Sequence, residues 1–257
     1  MPDIDSHRHG MPAWIDAIVD SADKQQRLMS LYSSLFGWTW DEGSAATGHY
    51  CIARNNGRAV MGVGQGPGTE GKMVTYFATD DIESSCELAR SLGANVFVGP
   101  IIAGDGSGQL ALVLDPVGVV HGLWQAGSFA GFGSLYEEGA PGWFDHASND
   151  PASAVSYYSA LLDKLVLEPE PSMQILADGE QWFASVSTNQ LPERGSMWNA
   201  IIVVDSLERL RNDVVALGGS VVVEEMPVPG SAISIFVEPV NHTYVTVAAS
   251  GPGVLQS

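Results

Sequence analysis

Apolar and polar positions mix along residues 12–20, with aromatics among them, as in a half-buried strand, and residues 141–149 repeat the pattern. Leu28, Leu31, Tyr32 and Leu35 then fall at helical spacing across 22–36, and Gly37 makes a natural stop. In the later stretch Asp150 is placed to cap a helix, Pro151 suits its first turn, and Val155, Tyr158, Leu161 and Leu162 follow on one face. Short strand-like runs come next: His49 to Ala53, Ala59 to Val63, and Gln181 to Ser187. A second cycle begins near residue 72. Met73 to Thr79 reads as a strand, Asp80 or Asp81 as the cap of a helix through Leu88 and Leu92 to Gly93, and Asn95 to Val98 as the next strand. Its counterpart runs Asn199 to Val204, Asp205 as cap, Leu207, Leu210, Val214 and Leu217 on the helix, then Val221 to Val223. Each half closes with two strands, Leu110 to Leu114 with Val119 to Gln125, and Ile233 to Val237 with Tyr244 to Ala248. Segments rich in glycine and serine around 64–71 and 127–140 read as linkers, the latter joining the halves.

The pattern is a duplication. Gly10-Met11-Pro12-Ala13-Trp14-Ile15-Asp16 returns as Gly139-Ala140-Pro141-Gly142-Trp143-Phe144-Asp145, Tyr32-Ser33-Ser34-Leu35 as Tyr158-Ser159-Ala160-Leu161, and Asp115-Pro116-Val117 as Glu238-Pro239-Val240. A repeat of about 125 residues predicts two domains, 1–130 and 131–257. Each holds two βαβββ modules, four in all. The expected class is α+β, with helices on one face of a curved mixed sheet and a ligand cleft on the other.

Charge narrows the partners. Thirty acidic residues face eleven basic ones, a formal net charge of −19, and the bases are scattered. A nucleic-acid binder needs a basic stripe, so nucleic acid is excluded as a partner, and anionic membrane surfaces are disfavoured. No apolar run approaches the roughly 18 residues that span a bilayer. The N-terminus lacks a basic, apolar secretion leader, so a cytoplasmic setting is expected, and the protein is expected to be a monomer or homodimer. Cys51 and Cys86 are expected to be free, buried thiols.

Several motifs together resemble the vicinal oxygen chelate superfamily of glyoxalases, bleomycin resistance proteins and extradiol dioxygenases, in its two-domain glyoxalase-like branch. They are Pro12-Ala13-Trp14-Ile15-Asp16, Tyr32 with Leu35-Phe36-Gly37-Trp38, Asp115-Pro116-Val117-Gly118 with Leu123-Trp124-Gln125, Trp143-Phe144-Asp145, and Asp150 with Tyr157-Tyr158. The resemblance implies a first-strand metal ligand seven residues before each helix cap and a last-strand Glu seven residues after each Asp-Pro turn. Those counts reach Trp14, Met73 or Val74, Trp143, Trp198, Gly122 and Val245, none of which suits a divalent cation. The expectation is therefore no metal and no cofactor. His7 and His9 fall in a polar tail expected to be disordered, and His121, His146 and His242 on strand faces turned from the cleft. Only His49 is placed to reach it.

The same family geometry, with a strand period of two, turns Trp14 and Asp16 toward one cleft, and Trp143 and Asp145 toward its duplicate. Val120, Gly122 and Trp124 join the first, Thr243, Val245 and Val247 the second, and Trp198 completes the set. Trp14, Tyr50, Trp124, Trp143 and Trp198 are the candidate ligand-binding residues, suited to a flat aromatic or polyketide-like molecule; the same rings would also fill a core. Asp16, Asp145 and His49 are the candidate catalytic groups, because a carboxylate beside indole in an apolar cleft holds its proton to higher pH; each Asp would equally serve as a structural hydrogen-bond acceptor. Gly62-Val63-Gly64-Gln65-Gly66-Pro67-Gly68 lacks the Lys-Ser/Thr of a phosphate loop and is not read as a nucleotide site. The resemblance implies either a metal-independent tailoring step on a secondary metabolite (cyclisation, isomerisation, dehydration or ring opening), sequestration of an antibiotic, or a ligand-sensing scaffold.

Overall fold

The computed structural model describes residues 6–66, 73–104, 106–170 and 173–250. The N-terminal half runs β1 (Pro12–Val19), α1 (Ala22–Phe36), β2 (Thr39–Asp41), β3 (Cys51–Asn55), β4 (Arg58–Gln65), β5 (Val74–Ala78), α2 (Ile82–Ser91), β6 (Asn95–Ala103), β7 (Gly108–Leu114) and β8 (Val120–Ala126). The C-terminal half repeats it with β9 (Pro141–Ser148), α3 (Pro151–Leu162), β10 (Leu165–Glu170), β11 (Met173–Asp178), β12 (Gln181–Thr188), β13 (Met197–Val204), α4 (Leu207–Ala216), β14 (Ser220–Val228), β15 (Ser231–Val237) and β16 (Tyr244–Ala249). Each half is one open mixed sheet of eight strands, in the orders β2-β3-β4-β1-β5-β8-β7-β6 and β10-β11-β12-β9-β13-β16-β15-β14. The expected α+β class and the four βαβββ modules are present.

Local chemistry explains the element ends. The Ser21 side chain caps α1 by accepting from the Lys24 N–H, and Gly37 ends it at φ 72°, a left-handed conformation that glycine adopts without a Cβ clash. Asp81 and Asp150 cap α2 and α3. The cap of α4 is Ser206, which accepts from the Arg209 N–H, and the expected cap Asp205 instead binds the Arg209 guanidinium at 2.6 Å. Strands β2, β10 and β11 are additional to those expected from the sequence pattern. β2 is three residues long and exposes Thr39 and Asp41, so no alternation marks it.

Two expected loose segments are packed. Around 127–140, Phe132 is fully buried; its N–H donates to the Ala13 carbonyl and that of Gly133 to the Ala59 carbonyl. The connector thereby lies across β1 and β4. His7 is half-buried rather than disordered, with Nε2 3.2 Å from the Phe132 carbonyl oxygen. The other expected linker divides: Gly64 and Gln65 belong to β4, and residues 67–71 lie outside the described residues.

The halves join through one continuous apolar core. Phe77 of β5 meets Trp198 of β13 at 5.1 Å between ring centroids, and Tyr158 packs on Trp198 at 5.0 Å. Burying each such aromatic stabilises by roughly 2–3 kcal/mol. The sequence echoes cross-pair at this seam. Asp115 accepts from the N–H groups of Val117 and Val119 and from the hydroxyl of Tyr158 in the other half, at 2.7 Å. Glu238 likewise accepts from Val240, Asn241 and Thr243 N–H groups. Its partner by symmetry is Tyr32, whose buried hydroxyl has no hydrogen bond.

Candidate active site and its duplicate

Ile15, Ala17 and Val19 of β1 are fully buried on the helix side, so Trp14 and Asp16 face the other way. In the N-terminal cleft the Trp14 Nε1–H donates to the Tyr50 hydroxyl at 2.7 Å. The Tyr50 hydroxyl donates to Asp16 Oδ2 at 3.2 Å, and the Tyr76 hydroxyl donates to the same oxygen at 3.1 Å. Asp16 Oδ1 is buried without any partner. Burial pushes the Asp16 carboxyl up to about 7, against the opposing hydrogen bonds from Tyr76 and Tyr50. A group with that affinity is present in both protonation states near neutrality, which is what proton transfer in either direction requires.

Two glycines make the arrangement fit. Gly62 of β4 lies opposite Asp16, and a Cβ there would fall 1.8 Å from the Tyr50 hydroxyl oxygen. Gly122 of β8 lies opposite Tyr76, and its Cβ would fall 1.9 Å from Tyr76 Cδ1. The glycine-rich run set aside as a nucleotide loop thus opens, at Gly62, the space that Tyr50 fills. Trp14 is walled by Phe129 and Phe132 at 5.0 and 5.4 Å, both from the connector. Trp124 is buried on the same side and donates to the Phe129 carbonyl.

The C-terminal cleft keeps the relay with different residues. Trp143 Nε1–H donates to Ser185 Oγ at 2.8 Å, Ser185 donates to Asp145 Oδ1 at 2.6 Å, and Ser187 donates to Oδ2 at 2.9 Å. Ser185 stands opposite Asp145 as Gly62 stands opposite Asp16. A hydroxyl therefore occupies the same place in both halves, supplied by Ser185 in one and by Tyr50 reaching over Gly62 in the other. Burial raises the Asp145 carboxyl, with the two serines opposing. Asp145 is half-buried, whereas Asp16 is only 4% exposed.

Other expected site residues lie elsewhere. Trp198 is not in a cleft: it pairs in register with His146 and sits in the seam between halves, against Phe77, His146 and Tyr158. The count that reached Trp198 started from Asp205; starting from the actual cap, Ser206, it reaches Asn199, and one residue along a strand changes the face. A separate offset affects the closing strand: the Glu238 turn closes on Thr243 where the Asp115 turn closes on Val119, one residue sooner, so Thr246 lies opposite Ile201, while Val245 and Val247 belong to the helix-side core. His49 precedes β3 in a left-handed turn at φ 60° and is exposed; its carbonyl, not its ring, is engaged, by Gln25. His121 and His146 are buried at the seam, as the strand parity required, and His242 is exposed.

The residues that stand at the family's metal positions do not fit a metal. They are Trp14, Gly62, Val74 and Gly122 in one half, and Trp143, Ser185, Asn199 and Thr246 in the other, with Asp16 level with Gly62 and Val74 and Asp145 level with Ser185 and Asn199. Neither set contains an imidazole or a carboxylate, the donors that borderline and hard divalent ions require. Among the described residues no three His, Cys, Asp or Glu side chains converge.

Two tandem open sheets of paired βαβββ modules define the two-domain vicinal oxygen chelate fold, and this chain has it. The solved structures similar to it include the Mn(II)-bound glyoxalase from Novosphingobium aromaticivorans (TM-score 0.65, 14% identity, covering 97% of this chain and 90% of that one). Another is the 2,2',3-trihydroxybiphenyl 1,2-dioxygenase of Sphingomonas wittichii RW1 (TM-score 0.63, 15% identity, 95% and 91%). In sequence the chain is similar to the Mycobacterium tuberculosis (strain CDC 1551 / Oshkosh) protein named "Putative glyoxylase CFP32", 27% identical over 240 residues, 89% of this chain and 90% of that protein. It is also 26% identical over 248 residues, 86% of each chain, to the anthracycline biosynthesis protein DauV of Streptomyces sp. (strain C5). No family model matches the chain. Among the described residues no helix is long and apolar enough to cross a membrane.

Proposed function

We propose that the protein is a metal-independent member of this fold that carries out a proton-transfer step on a flat aromatic or polyketide-like metabolite, with Asp16 as the acid–base group. The observation that carries this reading is the Asp16 carboxyl: one oxygen held by two tyrosine hydroxyls, the other buried and unpartnered, and an affinity for the proton near neutrality. Protonated, Asp16 gives its proton to a substrate oxygen; ionised, it takes one from carbon. Either serves a cyclisation, isomerisation, dehydration or ring opening. Trp14 and Trp124 supply stacking surface, and Phe129, half-buried and edge-on to Trp14, borders the approach. The similarity to an anthracycline biosynthesis protein supports a planar polycyclic substrate. The net charge of −19 supports a small-molecule partner over nucleic acid or an anionic membrane, and a cytoplasmic setting accords with the two free cysteines.

Sequestration is the second reading. It is favoured by the depth of Asp16, with Trp14, Tyr76 and Trp124 each under a tenth exposed around it, which suits holding a ring better than turning one over. One experiment separates the two. A panel of tri- and tetracyclic aromatic polyketides is incubated with the protein, with and without a chelator, and analysed by mass. The expected result is a product isomeric with its input or differing from it by water, insensitive to chelator and lost in Asp16→Asn. Compounds that bind and return unchanged, with Asp16→Asn altering affinity alone, would establish sequestration instead.

A further inference from the structure

The C-terminal half holds a half-buried cation, Arg194, that hydrogen-bonds no carboxylate; Glu193, next to it in sequence, acts on it only through its charge. Arg194 ends a single helical turn, Pro192–Arg194, before β13. Its guanidinium carbon lies 3.2 Å above the centroid of the Tyr244 ring. One amino group reaches Met197 Sδ, a weak acceptor, at 3.0 Å, and Nε is buried with no partner. Every other half-buried Lys or Arg among the described residues faces a carboxylate: Lys24, Arg54, Arg58, Lys164 and Arg211. In a chain with thirty acidic residues, a half-buried guanidinium with no ion-paired carboxylate differs from those five and is free to pair with an incoming anion. Asp145 does not serve it, since both its oxygens are taken by Ser185 and Ser187.

Strand parity turns Tyr244 and Thr246 to the cleft side of β16, and the parallel register brings Asn199 of β13 level with Tyr244. The matching positions of the N-terminal half are Val74, Val120 and Gly122, so the polar set belongs to this half alone. Beyond it lies an apolar floor of Trp143, Ile175, Ile201, Ile233 and Ala248. Guanidinium presents a planar fork of donors that matches a carboxylate in two hydrogen bonds, and the Tyr244 ring beneath fixes its plane.

We propose that the C-terminal cleft is a binding site for a flat ligand carrying one carboxylate, with Arg194 on Tyr244 as its receptor and the apolar floor under its ring system. The two clefts have thus diverged, one toward proton transfer at Asp16 and this one toward anion recognition. The strong negative charge of the chain disfavours a second anionic group on the ligand.

The test uses the full chain, 2-naphthoate as probe and neutral 2-naphthamide as its control, read by titration calorimetry. The expected result is naphthoate binding at least about tenfold tighter than the amide, a preference abolished in Arg194→Gln, reduced in Arg194→Lys, and kept in Asp16→Asn. In the wild-type protein the Arg194 Nε–H resonance should shift on adding naphthoate, a readout independent of any variant's folding. Equal binding of the two probes, no naphthoate binding at millimolar concentration, or an unmoved Arg194 resonance overturns the proposal. So does a preference that survives Arg194→Gln or disappears in Asp16→Asn; the latter would place the anion in the other cleft. Loss of turnover in Asp16→Asn with the naphthoate preference intact leaves both readings standing.

Discussion

Replacing Asp16 by Asn removes a titrating carboxyl while keeping an oxygen for the Tyr50 and Tyr76 hydroxyls. The native carboxyl sits at about 7 against an ordinary value of 3.8, a rise of about 3 pK units, worth about 4 kcal/mol as an upper bound. The sign follows from proton uptake. The folded state holds the Asp16 proton more tightly than the unfolded chain, so its contribution to stability is fully present below about pH 4 and is lost as pH rises through 7. Above that, an ionised carboxylate remains in a site that burial makes unfavourable, and Asn does not. Asp16→Asn should therefore gain most over wild type in alkaline solution. Between about pH 8.5 and about pH 5.5 the difference in unfolding free energy between variant and wild type should shrink by about 2 kcal/mol. Urea unfolding of both proteins across that range, followed by tryptophan fluorescence, measures it, and taking the difference cancels every other titrating group. A gap that does not change with pH would mean that Asp16 titrates as an ordinary carboxyl, and the acid–base role would fall with it. If the role stands, the variant loses about 10²–10⁴-fold in turnover while gaining stability.

Three further outcomes test other parts of the structure. Gly62→Ser places side-chain atoms where Tyr50 now lies and should cost about 1–3 kcal/mol; adding Tyr50→Ala should recover much of it by rebuilding the Ser185 arrangement, which thermal unfolding of the single and double variants would show. Tyr158→Phe removes a buried hydrogen bond to Asp115 and should cost about 1–3 kcal/mol, whereas Tyr32→Phe removes a hydroxyl that has no partner and should be neutral or stabilising in the same denaturation assay. Burial lowers the buried His121 to about 4, so the stability it contributes is present above about pH 6.5 and lost as pH falls toward 4, by up to about 3 kcal/mol; His121→Gln should flatten that loss in acid titrations of unfolding.

The modules, their order and their duplication were legible because they rest on local chemistry. Leu28, Leu31, Tyr32 and Leu35 at helical spacing, Gly37 as a stop, Asp150 with Pro151 as a start, and alternation along β1 and β9 each act within a few residues. Strands β2, β10 and β11 were not legible, because their pairing is decided by neighbours in the sheet rather than by their own pattern. Leu165 of β10, for example, is 58% exposed. Trp198 and Val245 show how sensitive a site reading is to a one-residue offset: choosing Asp205 over Ser206 as the cap turned the seam residue Trp198 into a supposed cleft residue, and the Glu238 turn, one residue longer than the Asp115 turn, did the same for Val245. Arg194 and Tyr244 gave no signal at all, since nothing in a sequence marks a cation that will lack a carboxylate.

The sequence by itself determined that this protein is two copies of a paired βαβββ unit, and that Trp14 with Asp16 and Trp143 with Asp145 share faces. These follow from periodicities of 2 and 3.6 residues and from side-chain chemistry, which travel with the chain. Only the tertiary structure decided what surrounds each aspartate. Tyr50, just before β3, and Tyr76 of β5 reach Asp16 because Gly62 and Gly122 leave room, whereas Ser185 and Ser187 of β12 saturate Asp145. Proton affinity depends on burial and on hydrogen bonds made across tens of residues, so two identical Trp-x-Asp motifs became two different sites.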